Sequence, residues 1–182
     1  MQRLPVTMSL LLGAVVIISY IVVIANALGT FPLAVASSSY FESPYWVGIS
    51  PSSAKALTSL QALGALGYIA WLAWIGGAPV KQGILASNTT LFAILLMILL
   101  AAAAWPFATY RALQSPTALR AVLACVPLWI TAIGTVLAIA GTFEANGPVY
   151  AQLGILAFGL VTILVDGIGW SAALIYRTVH NV

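Results

Sequence analysis

Side chains able to do chemistry are scarce in this 182-residue sequence. The acids are Glu42, Glu144 and Asp166, and the bases are Arg3, Lys55, Lys81, Arg111, Arg120 and Arg177. One cysteine, Cys125, allows neither an internal disulfide nor a thiolate metal cluster. One histidine, His180, cannot form a bis-histidine haem site or a His-rich metal site. Three acids are too few for the carboxylate cage of a di-iron protein. There is no Walker loop and no Gly-x-Ser-x-Gly elbow. No nucleophile–base pair can be assembled from these residues, which favours a non-enzymatic protein. An enzyme working through Asp166 and Glu144 stays open, with nothing pointing to it. The sequence names no cofactor.

Asp166 is the residue of most interest, because apolar sequence flanks it on both sides. A carboxylate at the centre of a membrane span costs about 2.5–3.5 kcal/mol on insertion scales, so it should face other helices or water. Helical spacing agrees. Gly159, Thr162, Asp166, Gly169, Trp170 and Ala173 fall on one small and polar stripe. Leu160, Leu164, Ile168 and Ile175 fall on the other face, suited to lipid. Asp166 is then a proton or ion site, a polar anchor in a ligand cavity, or a protonated or hydrogen-bonded residue joining helices. Its available partners include Asn26, Lys55, Tyr68 and Thr131.

The six tryptophans are the second constellation: Trp46, Trp71, Trp74, Trp105, Trp129 and Trp170. Trp71 and Trp74 stand one helical turn apart, Trp105 precedes Pro106 and Trp129 follows Pro127. A proline inside a helix is expected to kink it. Tryptophans also form interfacial belts and pack as ordinary apolar bulk. Converging, several could line an apolar pocket for a flat ligand. Trp46, Trp71, Trp105, Asp166 and Trp170 make the candidate ligand-binding set. Trp170 is favoured because it shares the Asp166 face.

The elements that must position these residues follow from composition. Hydrophobic residues make up 63% of the chain and charged residues 5%, against about 25% charged in a soluble domain. Nine charges cannot cover a soluble fold of this length, and so much apolar surface excludes disorder. A polytopic membrane protein remains. A spanning helix takes about 20 apolar residues, and five stretches qualify: about 8–29, 56–77, 90–110, 119–143 and 149–176. Helix is the spanning element, because lipid cannot satisfy a free backbone. The expected fold is all-α, five transmembrane helices in one bundle and one domain over 1–182.

Local signals set the boundaries. Gly76-Gly77-Ala78-Pro79 ends the second helix, and Ser87-Asn88-Thr89 offers an N-cap to the third. Pro116 suits a helix start, and Asn146-Gly147-Pro148 separates the last two spans. The 30–54 connection is long, holding Phe31, Tyr40, Phe41, Tyr45, Trp46 and several prolines. It suits an aromatic loop at the membrane interface. Arg3 and Ala34-Val35-Ala36 outline a signal peptide, but about 20 apolar residues exceed its usual core of roughly 7–15. The first segment is therefore expected to stay as a span. The Asn88-Thr89-Thr90 sequon lies too close to the third helix to accept a glycan.

Five spans put Lys55, Arg111, Arg120 and Arg177 on one side, and Arg3 and Lys81 on the other. Positive-inside logic then places the N-terminus out and the C-terminus in, with Arg3 dissenting. The basic pI of about 9.3 is a matter of topology, not of nucleic-acid binding. Small residues at Gly64 and Gly67, at 101–104, and at Gly134 with Ala138 allow helices to approach closely, within one chain or between copies.

Several short matches carry a resemblance. Ser43-Pro44-Tyr45-Trp46 precedes the second helix, which ends in Gly67-Tyr68-Ile69-Ala70-Trp71-Leu72-Ala73-Trp74. Trp105-Pro106-Phe107 lies in the third helix, and Ala173-Leu174-Ile175-Tyr176-Arg177 near the end. With five helices and a long aromatic first loop, this layout resembles the translocator protein family, the tryptophan-rich sensory proteins. The motifs cover about fifteen residues. The family's double proline before the second helix is absent, with Pro51 alone nearby, and Asp166 has no counterpart. The resemblance implies a sterol or tetrapyrrole bound in the bundle beneath the first loop.

Three roles are compatible with these residues. One is a small protein binding an apolar or aromatic ligand within its bundle, which requires a cavity on the Asp166 face. Another is an accessory or assembly subunit of a larger membrane complex, with other membrane proteins or further copies as partners. The third is a small carrier or channel-like protein using Asp166.

Overall fold

A computed structural model describes residues 3–27, 41, 46, 49–77 and 80–180. The long elements among them are helices: α1 (Arg3–Ala27), α2 (Pro51–Gly77), α3 (Asn88–Gln114), α4 (Ala118–Glu144), α5 (Val149–Gly159) and α6 (Ser171–His180). A π-helical segment, Leu160–Trp170, joins α5 to α6 without a break, and a 3-10 turn, Ile84–Ala86, precedes α3. Four runs are long and apolar enough to cross a membrane: Pro51–Gly77, Asn88–Gln114, Ala118–Glu144 and Val149–His180. The apolar stretch described in α1 is Thr7–Val23. Large side chains on every run face outward, among them Leu10, Leu66, Leu100, Leu119 and Ile168, each half exposed or more. Such a surface matches lipid and not water, consistent with a multi-pass integral membrane protein.

Caps explain where the helices begin. Ser87 accepts from the Thr90 amide at 3.3 Å, and Thr117 from the Arg120 amide at 3.2 Å. α2 begins five residues before its expected start. Ser50 accepts from the Ser53 amide at 3.2 Å, and Pro51 takes the first helical position, where its missing N–H costs nothing. The 30–54 connection is thereby shortened. Most of what is left of it lies outside the described residues, as does the Ala34-Val35-Ala36 match. α3 and α4 continue through Pro106 and Pro127.

Helix pairing is uneven. α3 packs along α4, α2 along α5 and α1 along α3, while α4 also supports the π-helical segment and α6. α1 and α2 meet only sparsely. The α2–α5 pair is closest at Gly67 and Gly154, where a Cβ on either glycine would strike the other's carbonyl oxygen. Small residues let backbones touch in this way.

The interior has two apolar clusters. One gathers Trp71, Ile75, Leu85, Leu91, Ile94 and Ile155. The other gathers Val23, Trp105, Cys125, Leu128, Trp170 and Leu174. Beyond the second cluster lie the helix ends that carry Lys55, Arg111, Arg120 and Arg177. Beyond the first lie Lys81 and Glu144, whose carboxylate accepts from the Ile84 amide at 3.0 Å and so holds the 3-10 turn.

Candidate functional site

Asp166 stands in the π-helical segment, partly buried. Bonding of the i→i+5 kind is rare and concentrates at functional sites. Two carbonyls of this segment also accept bonds from side chains. Ser171 Oγ donates to the Asp166 carbonyl at 3.2 Å, and Trp129 Nε1 of α4 donates to the Gly167 carbonyl at 3.1 Å. A free carbonyl is costly in lipid, so such bonds hold a widened helix in place. The wider turn also alters the faces. Leu160, Leu164 and Ile168 point outward as expected, but Ile175 is partly buried.

The carboxyl side chain shares the walls of two cavities with Gln61 of α2. The four partners considered from sequence do other things. Tyr68 pairs with Ser9 at 2.8 Å, and Thr131 Oγ1 donates to the Pro127 carbonyl at 3.0 Å. Lys55 is exposed, its ammonium 5.6 Å from the Phe41 ring. The side chain of Asn26 lies outside the described residues. Gln61 had a signal of its own: it is an amide among the apolar residues of α2, which in lipid needs a partner on another helix.

Two cavities share the Gln61–Asp166 pair as part of their walls. The larger, about 530 Å³, lies between α1 and α2, with α3, α4 and the α5 run behind it. Its walls include Val16, Ile17, Gly64, Ala65, Ala102 and Phe158. The Ser9–Tyr68 bond ties α1 to α2 about two turns away, and contact between these two helices is otherwise sparse. The smaller, about 310 Å³, lies toward the basic end, lined by Trp46, Ile49, Leu57 and Trp170.

Of the five residues singled out from sequence, Trp46, Asp166 and Trp170 meet at the smaller cavity. Trp105 stands behind it, edge-on to Trp170 with ring centroids 4.8 Å apart, and against Tyr20 at 5.3 Å. Trp71 lies away from both cavities, fully buried in the other cluster, its Nε1 donating to Thr142 Oγ1 at 2.8 Å. Among the described residues no cluster of histidine, cysteine and acids could hold a metal ion. Comparison with protein families, with curated proteins and with solved structures finds no match.

Proposed function

We propose that this chain is a five-span, non-enzymatic integral membrane protein that binds an apolar or aromatic molecule within its helix bundle. The observation that carries the reading is the cavity of about 530 Å³ between α1 and α2. Its size falls within the roughly 300–1,000 Å³ of small-molecule sites. Apolar walls with few polar groups are also the usual make-up of such sites. The guest's apolar body lies against Val16, Ile17, Gly64 and Ala65. Its polar group meets Gln61 and Asp166. The bilayer is the source, and the thin α1–α2 contact is the way in. The resemblance to the translocator family adds sterols and tetrapyrroles as ligand classes.

Native mass spectrometry of the protein, released gently from its own membrane, tests this reading. The expected result is one small molecule retained per chain. A chain that carries no small molecule but leaves with other protein chains would overturn it in favour of an assembly subunit.

A second reading is supported by the shared wall. Gln61 and Asp166 border both the larger cavity and the basic-end cavity, so a solute passing between them meets this pair. In vesicles enclosing a pH-sensitive dye, a carrier of this kind moves protons and Asp166→Asn stops the movement. Equal flux in the parent and the variant removes the carrier reading.

A further inference from the structure

At the basic end, α3 runs out at Gln114 and α4 starts at Ala118, and between them lies a third cavity of about 570 Å³. Arg111 and Arg120 both line it, together with Gln114, Ser115, Ala108 and Leu123. Both arginines are exposed, and no acidic residue is among the lining. Arg120 is steered toward the connection by a bond from its Nη1 to the Ser115 carbonyl, 3.3 Å. Arg111 has no carboxylate partner among the described residues. The lining deeper than the arginines is apolar, made by Ala108, Leu123 and Ala124, and Leu123 is 55% exposed.

This hollow therefore has two chemistries in a fixed order. Guanidinium forks at the helix ends suit a phosphate oxyanion, which Arg binds through paired N–H groups. An exposed leucine about one turn deeper, Leu123, suits an acyl chain. Basic pockets between membrane helices hold anionic headgroups by this combination. The end as a whole favours the same partner, since Lys55 and Arg177 stand there too and no acid lies there among the described residues.

We propose that the α3–α4 hollow is a binding site for one anionic glycerophospholipid, its phosphate held by Arg111 and Arg120 and its chain running inward along Leu123. The site is separate from the cavities beside Asp166 and does not depend on their occupancy.

The test uses the whole protein in nanodiscs of phosphatidylcholine with one-tenth phosphatidylglycerol, followed by release into the gas phase and a count of retained lipids. One phosphatidylglycerol should stay bound per chain while phosphatidylcholine is lost. The double variant Arg111→Gln/Arg120→Gln should retain about tenfold less, since each basic side chain near the headgroups adds attraction. Lys55→Gln, at the same end but outside the hollow, should retain as much as the parent. Far-ultraviolet circular dichroism confirms that each variant is folded; if the double variant is not, the single variants Arg111→Gln and Arg120→Gln replace it, each expected to show partial loss. Equal retention of the two lipids would overturn the proposal. So would parent-like retention in the arginine variants, or an equal loss in Lys55→Gln, which would mean diffuse surface charge. Displacement of the lipid by millimolar inorganic phosphate would overturn it as well, since the site would then read a free anion and not a lipid.

Discussion

A carboxylate in mid-span needs a hydrogen-bonding partner, and in this chain Gln61 of the neighbouring helix is the side-chain amide that shares the cavity walls of Asp166. Side-chain hydrogen bonds between membrane helices are worth about 0.6 kcal/mol on average and up to roughly 1.7. A double-mutant cycle on Gln61→Leu and Asp166→Leu, read by unfolding in mixed micelles, should give a coupling of about 1 kcal/mol. Strict additivity would show that the pair is not formed. Trp71 and Thr142 make a second test at this scale. Thr142→Val removes the acceptor of a buried indole N–H, which should cost about 1–3 kcal/mol, the desolvation of an unpaired donor. A variant as stable as the parent would mean that the indole finds another acceptor. Asp166 stood out in the sequence because a charge within an apolar run is conspicuous. Gln61 did not, because an uncharged amide near a helix start looks like ordinary interfacial polarity.

At the scale of the element, the α2–α5 pair depends on two glycines that meet backbone to backbone. Gly67→Ala places a methyl against the Gly154 carbonyl, and forced overpacking of this kind costs about 1–3 kcal/mol. Gly13 in α1 has nothing within 4 Å of an added Cβ, so Gly13→Ala should be neutral or better. Equal effects in a thermal-unfolding series would mean that α2 and α5 are not in close contact. Helix positions were legible in the sequence, because a run of about 20 apolar residues has few other uses and because Ser87 and Gly77 mark their ends. The early start of α2 was also written there, as Ser50 followed by Pro51, but an aromatic, proline-rich neighbourhood masked it. The π-helical segment was not legible. Its sequence reads as continuous helix, and the widening is held by Trp129 and Ser171, a contact across elements that spacing alone does not reveal.

For the whole molecule, the charges separate into two ends. Lys55, Arg111, Arg120 and Arg177 stand at one, and Lys81 with Glu144 at the other. That grouping was readable from the number of spans and the positions of the loops. The positive-inside rule predicts that the four-base end faces the cytoplasm. In a Cys125→Ser background, a membrane-impermeant maleimide applied to intact cells should label Lys81→Cys and leave Arg120→Cys untouched. The reverse pattern would invert the topology. Which tryptophans converge was not readable, because that depends on rotation about each helix axis. Trp46 and Trp170 share a cavity wall, while Trp71 belongs to the opposite cluster.

If the space between α1 and α2 holds a guest molecule, filling that space should expel it. Ala102 lines the cavity, whereas Leu100 of the same helix is 50% exposed on the outer face. In native mass spectra of protein taken gently from its membrane, Ala102→Phe should lose the bound small molecule that the parent and Leu100→Phe retain. Retention by Ala102→Phe equal to that of the parent would mean that the molecule is not held in this space.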